Sequence, residues 1–399
     1  MVITAAGTIQ AEAQYPFEGT INLAASWQKA LFALIEQIPQ AVRQEIRAIA
    51  FDGTSSTVLL CDDAGQPVTE PLLYNDARGV EVLDKVKAIA PANHTVLSAT
   101  SSLAKLFWIT QQSDLQKARY FLHQADWLAF LLHGKLGISD YHNALKLGYD
   151  VEKLCYPTWL ENLPFKEWLP QVLPPGTPVS QVSADIVSRF GFSPDCLVCT
   201  GTTDSIAAFL ASGANSPGEA VTSLGSTLVL KLLSHSRVED ARYGIYSHRL
   251  GDLWLVGGAS NTGGAVLRHF FTDAELESLS SQIKADTESP LDYYPLLKPG
   301  DRFPINDPQL PPRLEPRPDN PVEFLQGLLE SIARIEAQGY QRLQQLGATP
   351  LTCVYTAGGG AKNPIWTKIR DRHLRVPIVS AKHTEAAYGT ALLSHKHIQ

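Results

Sequence analysis

Residues 196–212 have the sequence CLVCTGTTDSIAAFLAS. Its apolar beginning predicts a buried strand, Gly201-Thr-Thr-Asp-Ser205 predicts a tight turn, and the segment from Ile206 predicts a helix. The same order of strand, glycine turn and helix recurs at residues 254–271 and 353–370. Repeated units of this kind indicate an α/β protein.

The segments outside these units fit the same architecture. Residues 24–45 have the apolar spacing of an amphipathic helix that Pro39 interrupts, and residues 324–335 predict a second long helix. Short strands are predicted at residues 46–51 and 57–61, around a turn at residues 52–56. Strand-forming residues on both sides of Leu224-Gly-Ser226 predict a hairpin.

Composition limits the classes of partner. A chain of 399 residues is longer than one hydrophobic core usually supports, which suggests two domains. The formal net charge is -7 and no Lys/Arg block occurs, so we expect neither nucleic acid nor an anionic membrane surface as a partner. With no long apolar run and no signal-peptide pattern, a cytoplasmic location is expected. The oligomeric state stays open.

Asp204 is the first candidate for chemistry. An aspartate where a buried strand meets a helix lies at the sheet edge, close to the positive end of the helix. A carboxylate in that place can act as a general base. The alternative is a helix N-cap, which is the commoner role of Asp at such a junction.

Two further glycine turns could hold a polyphosphate. The turn in Ser223-Leu-Gly-Ser-Thr227 offers backbone N–H groups and hydroxyls, and Gly358-Gly-Gly360 lets backbone approach a ligand before a helix begins. Ordinary hairpin chemistry and a need for positive φ are the alternatives. Neither turn matches the Walker P-loop, and the glycine spacing in residues 257–263 does not fit a Rossmann fingerprint.

Taken in order, these segments resemble the FGGY carbohydrate kinases. Short motifs along nearly the whole chain carry the resemblance. They are Pro71-Leu-Leu-Tyr-Asn-Asp76-Ala-Arg78, Gln124-Ala-Asp-Trp-Leu128, Ser139-Asp-Tyr-His-Asn143, Gly201-Thr-Thr-Asp204, Ser223-Leu-Gly-Ser-Thr227, Pro295 with Gly300-Asp-Arg-Phe-Pro304, and Thr356-Ala-Gly-Gly-Gly-Ala-Lys-Asn363. Within the family, the chain is most similar to the cyanobacterial and plant group associated with D-ribulose.

The resemblance implies a fold and a reaction. The fold would be two ribonuclease-H-like, actin-like ATPase domains flanking a cleft. Residues 1–212 would form the sugar-binding domain, residues 213–384 the ATP-binding domain, and residues 385–399 a C-terminal helix that returns to the first domain. The reaction would be phosphorylation of a small ketose or polyol, with D-ribulose favoured, by ATP and Mg²⁺. A non-catalytic binding relative and an actin-like ATPase of non-metabolic role are the alternatives.

The resemblance also implies roles for individual residues. Asp204 would be the general base and would contact the sugar together with Ser55. The metal ligands are not assigned. The cofactor-binding residues would be those that hold the phosphates, the nucleoside and the adenine: Gly225, Ser226, Thr227, Gly358, Gly359, Gly360, Asn363 and Trp366. For Trp366, packing is an equal alternative to base stacking.

The chain departs from the family pattern at two places. Members begin with a hairpin G-x-D-x-G-T-S/T, and nothing before Gln14 matches it. We therefore expect the first phosphate-binding hairpin to be missing, either in the native chain or because the true start lies upstream. Asp52-Gly-Thr-Ser-Ser56 corresponds to the later family turn G-x-S-G-Q-M-H-G, but the Gln-Met-His is absent, which weakens an assignment to xylulose.

Overall fold

The computed structural model describes residues 1–17, 22–111 and 115–395. Its strands are β1 (Val2–Ile3), β2 (Ile9–Ala11), β3 (Ala48–Ile49), β4 (Asp52–Gly53), β5 (Val58–Cys61), β6 (Tyr120–His123), β7 (Ile138–Asp140), β8 (Gln171–Leu173), β9 (Pro178–Gln181), β10 (Leu197–Cys199), β11 (Thr202–Thr203), β12 (Glu219–Leu224), β13 (Leu228–Ser234), β14 (Tyr246–Leu250), β15 (Leu253–Ser260), β16 (Cys353–Ala357) and β17 (Ile378–Ser380).

The helices alternate with these strands, as expected for an α/β protein. They are α1 (Leu23–Gln37), α2 (Gln40–Glu45), α3 (Leu83–Lys87), α4 (Ser102–Ile109), α5 (Gln124–His133), α6 (Tyr141–Ala144), α7 (Thr158–Glu161), α8 (Ala184–Phe190), α9 (Asp204–Ser212), α10 (Gly264–Phe270), α11 (Asp273–Ser280), α12 (Pro321–Gln345), α13 (Pro364–Leu374) and α14 (Ala386–His395). Among the described residues, no helix is both long enough and apolar enough to cross a membrane.

The chain divides into two compact units. The first consists of Met1–Ala211 together with the segment from Glu385, and the second is Ser212–Thr384. The first unit contains short strand pairs, including β3 beside β10 and β4 beside β11, both parallel. Its core includes Ile35, Phe51 and Val198, which α1, the β3–β4 segment and β10 contribute.

Local predictions for the first unit are mostly confirmed. The helix predicted at residues 24–45 forms as α1 and α2, with the break at Ile38 and Pro39. Two local predictions are wrong: Asp52 and Gly53, and also Thr202 and Thr203, expected in turns, form the strands β4 and β11, because the two segments pair with each other. Long-range pairing of this kind leaves no signal in a short segment.

The second unit is built on a six-stranded sheet with the order β14-β15-β13-β12-β16-β17. The predicted hairpin is confirmed as β12 and β13, and the long predicted helix is confirmed as α12. The apolar face of α12, which includes Phe324, Leu328 and Ile332, is fully buried in the core of this unit.

The register of this sheet places three turns at one edge. Leu224 at the end of β12 pairs with Leu228 at the start of β13, and Leu228 pairs with Ser260 at the end of β15. Ser223 pairs with Ala357, the last residue of β16. The segments that follow β12, β15 and β16 therefore emerge side by side.

A buried lysine in the first unit yields a pH-dependent prediction. Lys105 is 0% exposed, and its Nζ donates to the carbonyl oxygens of Ser56 and Leu73 at 2.7 and 2.6 Å. Burial lowers the pKa of Lys105 from 10.5 to about 8. Between these values the unfolded chain binds more protons than the folded chain, so this group makes folding more favourable as pH rises.

We therefore expect the free energy of unfolding of the wild type to rise relative to that of Lys105→Met from pH 8 to pH 10.5. Denaturant titrations of both proteins across that range measure the difference. A difference that does not change with pH would contradict the lowered pKa.

Candidate active site

Asp204 is the first residue of α9 and directly follows β11. Its side chain is half-buried, and Oδ1 accepts a hydrogen bond from the backbone N–H of Ser205 at 2.6 Å. The carboxylate therefore contacts the first turn of α9, at the positive end of the helix dipole.

A second carboxylate, which the sequence analysis did not identify as a site residue, lies near Asp204. Asp52 in β4 pairs with Thr202 in β11, and Asp204 follows the last residue of β11 as the first residue of α9. Thr390 Oγ1 in α14 donates to Asp52 Oδ2 at 2.6 Å. Burial raises the pKa of Asp52, and the negative charge of Asp204 raises it further. A cation near both carboxylates would lower it.

Ser55 lies in the turn between β4 and β5 and is half-buried. Hydrogen bonds fix this turn on both sides of Ser55. Thr54 N donates to Gln124 Oε1 at 3.2 Å, and Thr54 Oγ1 and Thr57 Oγ1 are 2.5 Å apart. The Lys105 ammonium binds the carbonyl of Ser56, the next residue. Asp204 and Ser55 both belong to the first unit.

The remaining predicted site residues all belong to the second unit, at the edge where the three turns emerge. The turn after β12 is bonded directly to the start of α10. Gly264 N donates to the carbonyl of Gly225 at 2.9 Å, and Ala265 N donates to the carbonyl of Ser226 at 3.0 Å. The Ser226 side chain is exposed at this turn.

The turn after β16 packs directly against the turn after β12. Gly358 has φ +84°, and a Cβ on it would lie 2.7 Å from the carbonyl oxygen of Leu224. A Cβ on Gly360 would lie 2.6 Å from the Trp366 ring. Glycine is therefore required here by contact with protein atoms, and the exposed backbone of Gly358 and Gly359 faces solvent.

Arg268 adds a positive charge that the sequence analysis did not assign to the site. Its guanidinium lies 3.5 Å from where a Cβ of Gly359 would be and 3.9 Å from the corresponding position on Gly264. The side chain is 54% exposed and pairs with Asp273 at 3.3 Å. A guanidinium beside exposed turn backbone suits a phosphate group.

Asn363 and Trp366 have structural roles at the start of α13, next to the turn after β16. Asn363 Oδ1 accepts from the N–H groups of Ile365 and Trp366 at 3.1 and 3.0 Å, so it caps α13, and its Nδ2 donates to Ser280 Oγ at 2.9 Å. Trp366 is 2% exposed. This burial supports the packing alternative, with the ring beneath Gly360.

The loop Gly300-Asp-Arg-Phe-Pro304, one of the segments that resemble the family, fixes the end of β15. Asp301, which is 2% exposed, accepts from Ser260 Oγ at 2.8 Å, from Asn261 N at 2.7 Å and from the Tyr294 hydroxyl at 2.5 Å. Arg302 Nε donates to Asn261 Oδ1 at 3.0 Å. The loop therefore positions the third turn, which begins at Asn261.

Elsewhere in the second unit, one group of side chains has the chemistry of metal ligands. Oxygen or nitrogen atoms of Glu288, Glu330 and His373 lie within 4.8 Å of one another. Glu330 already binds Arg372 through one oxygen and His373 Nε2 through the other, the latter at 2.7 Å. The Arg372 guanidinium and the His373 ring therefore already occupy both oxygens of the buried carboxylate.

Most of the sequence matches one family of proteins. Residues 3–211 match the N-terminal domain of the FGGY family of carbohydrate kinases, and residues 220–395 match its C-terminal domain. The chain belongs to the FGGY family of carbohydrate kinases. It is thus a phosphotransferase with an alcohol group as acceptor, as the sequence resemblance predicted.

Individual members of the FGGY family are distant relatives of this chain. It is 21% identical to a xylulose kinase of Staphylococcus epidermidis strain ATCC 12228, over 92% of this chain and 78% of the relative. It is 22% identical to a gluconokinase of Bacillus subtilis strain 168, over 83% and 70%. A crystal structure titled as a xyloylose kinase from Brucella ovis has a TM-score of 0.84 at 21% identity and covers 100% of this chain and 88% of that one. The two-domain FGGY fold is therefore confirmed.

A paired substitution tests the packing of the glycine turns. Gly358 and Gly347 both have positive φ, at +84° and +100°, but a Cβ on Gly347 would meet no atom within 4 Å. We expect alanine at either position to lower the free energy of unfolding by about 1 kcal/mol or more, because φ is strained in both.

Only Gly358→Ala should also weaken ADP binding, on the order of tenfold, because its Cβ would push apart the two turns. Calorimetric titration of both variants with ADP measures the affinities. Equal affinities would show that the contact of Gly358 with Leu224 does not shape the binding surface.

Proposed function

We propose that this FGGY kinase transfers the γ-phosphoryl group of ATP to a hydroxyl of a small ketose or polyol, with D-ribulose as the favoured substrate. The observation that carries the proposal is the position of Asp204, a half-buried carboxylate at the end of β11 with Asp52 close to it. Packing alone does not require two acidic groups at this edge of the first unit.

In the proposed step, Asp204 accepts the proton of the sugar hydroxyl while the hydroxyl oxygen attacks the γ-phosphorus. The bond from this phosphorus to its bridging oxygen breaks, and ADP leaves. A carboxylate at the start of α9 can serve as this general base when it lies within hydrogen-bond reach of the hydroxyl. Ser55, in its fixed turn, would contact the sugar.

The nucleotide would bind the edge of the second unit where the three turns meet. Backbone N–H groups and hydroxyls of residues 225–227 suit the phosphates, and Gly358, Gly359 and Gly360 suit the nucleoside. Arg268 would contribute a donor to a phosphate oxygen. Asn363 and Trp366 would act indirectly on the adenine side, by holding in place the surface that contacts the base. Asn363 caps α13, and Trp366 is buried.

Magnesium fits the proposal through the carboxylates of the first unit. Asp52 and Asp204 offer the oxygen ligands that Mg²⁺ prefers, and bound Mg²⁺ would neutralise charge on the phosphates. Burial raises the pKa of Asp52 and the negative charge of Asp204 raises it further, and a bound cation would relieve that repulsion. A cytoplasmic location follows from the need for ATP, and the ribonuclease-H-like description of both domains is part of the same proposal.

D-ribulose is favoured over D-xylulose because of the turn that contains Ser55. The family turn G-x-S-G-Q-M-H-G is replaced here by Asp52-Gly-Thr-Ser-Ser56, so short hydroxyl side chains stand in place of Gln-Met-His. The resemblance to the cyanobacterial and plant group supports the same sugar. The named relatives are a xylulose kinase and a gluconokinase, and neither name settles the substrate of this chain.

The base is tested by Asp204→Asn with Asp185→Asn as a matched control. Asp185 is also an aspartate in the first turn of a helix of the first unit, but it is exposed. We expect Asp204→Asn to lower kcat for D-ribulose by about 100-fold or more while ADP affinity stays unchanged, because the base acts in the transition state. Asp185→Asn should leave both quantities unchanged.

Coupled release of ADP gives kcat, and calorimetric titration gives the affinity. Full activity in Asp204→Asn would remove Asp204 from the proposed role. A wild type that binds Mg-ADP but releases no ADP from Mg-ATP with any sugar would contradict the kinase proposal.

A further inference from the structure

An ion pair lies completely buried beneath the glycine turns of the second unit. Glu336 in α12 and Arg370 in α13 are both 0% exposed. Arg370 Nε donates to Glu336 Oε2 at 2.6 Å, and Arg370 Nη2 donates to Glu336 Oε1 at 2.7 Å. The pair is bidentate, which fixes the relative position of the two helices as well as the charges.

The pair also binds the two strands that carry the turns. Thr222 Oγ1 in β12 donates to Glu336 Oε1 at 2.5 Å, and Arg370 Nη1 donates to Thr356 Oγ1 in β16 at 2.8 Å. Thr222 and Thr356 are direct neighbours in the parallel register of these strands. Tyr340 completes the network, since its hydroxyl lies 2.8 Å from Thr222 Oγ1.

The Tyr340 hydroxyl is the donor in this last contact, because Thr222 has a single hydroxyl proton and gives it to Glu336. Burial and the charge of Glu336 raise the pKa of Tyr340, so it keeps its proton. The hydrogen bonds therefore run in one direction from Tyr340 through Thr222 to Glu336. A network with one fixed arrangement holds its members in one geometry.

Each anchored residue is close to a turn. Thr222 is two residues before the end of β12, and Gly225 follows that strand. Thr356 is followed by Ala357, the last residue of β16, and then by Gly358. Arg370 lies in the helix that Asn363 caps. The ion pair thus connects the two strands, β12 and β16, that lead into residues 225–227 and 358–360.

Stability alone does not explain a buried ion pair. The cost of removing two charges from water offsets much of their attraction, and apolar side chains of similar volume often replace such a pair with no loss of stability. The network that binds both strands has no apolar equivalent, because Thr222 and Thr356 need polar partners at defined positions.

We propose that Glu336 and Arg370 are positioning residues for the nucleotide: they set the spacing between the turn after β12 and the turn after β16. This inference rests on the proposed function, because it takes that edge of the second unit as the ATP site. Breaking the pair should change the affinity for nucleotide and leave the affinity for sugar unchanged.

The same two helices provide a matched control. Glu330 in α12 and Arg372 in α13 form a second ion pair, in which Glu330 is fully buried. Arg372 continues to the carbonyl of Ala285, and Glu330 also binds His373. These partners lie outside β12 and β16, so the Glu330 pair joins the helices without reaching the strands that carry the turns.

The experiment compares Glu336→Gln, the double variant Glu336→Leu with Arg370→Met, and the control Glu330→Gln in the full chain. Thermal unfolding gives stability, calorimetric titration with Mg-ADP gives nucleotide affinity, and kinetics give KM for ATP and for D-ribulose. We expect Glu336→Gln to lower stability and to weaken ADP binding on the order of 10-fold to 100-fold, with KM for ATP raised and KM for D-ribulose unchanged.

The double variant separates positioning from folding. We expect its melting temperature to recover relative to Glu336→Gln, since no charge is left unpaired, while its ADP affinity stays low because the bonds to Thr222 and Thr356 are lost. Glu330→Gln should lower the melting temperature with ADP affinity unchanged.

Two results would overturn the inference: ADP affinity that follows melting temperature across all three variants, or wild-type affinity in the double variant. If the wild-type chain itself binds no Mg-ADP, the proposed function fails first and the inference fails with it. A wild type that binds Mg-ADP together with a double variant that binds equally well contradicts only the positioning role.

Discussion

The parallel pairing of β12 with β16 is the constraint on which the second unit depends. Because Thr222 and Thr356 are neighbours in this register, the strands end together and their turns meet at the contact of Gly358 with Leu224. The buried charges of Glu336 and Arg370 satisfy the polar side chains just below the turns. Backbone of two loops is thereby presented at one edge, which is the arrangement that suits a polyphosphate.

The first unit uses parallel pairing for a different purpose. The pairing of β4 with β11 places Asp52 beside the strand that leads to Asp204, so a carboxylate from a distant part of the sequence joins the predicted base. The Ser55 turn follows β4 directly and is tied to Gln124 and Lys105. The two carboxylates of the proposed site, Asp52 and Asp204, thus belong to the first unit, and the glycine turns with Arg268 belong to the second unit. This division suits a reaction in which one ligand is an alcohol and the other is a polyanion.

Much of this was predictable because the relevant signals are local. Alternating and helical periodicity predicted α12 and the β12–β13 hairpin, and the motif order identified the FGGY family. Residues that matter through distant pairing were missed. Asp52 was assigned to a turn because a two-residue strand has no pattern of its own, and Arg268 looks like any exposed helix residue until its distance to Gly359 is known. Glu336 and Arg370, 34 residues apart, carry no motif at all.

Sugar kinase activity is measured by coupled ADP release from the purified chain with Mg-ATP, in parallel with D-ribulose, D-xylulose, L-ribulose and glycerol. We expect sugar-dependent ADP release that is fastest with D-ribulose. Binding of Mg-ATP without release of ADP in the presence of any of these substrates would be incompatible with a sugar kinase.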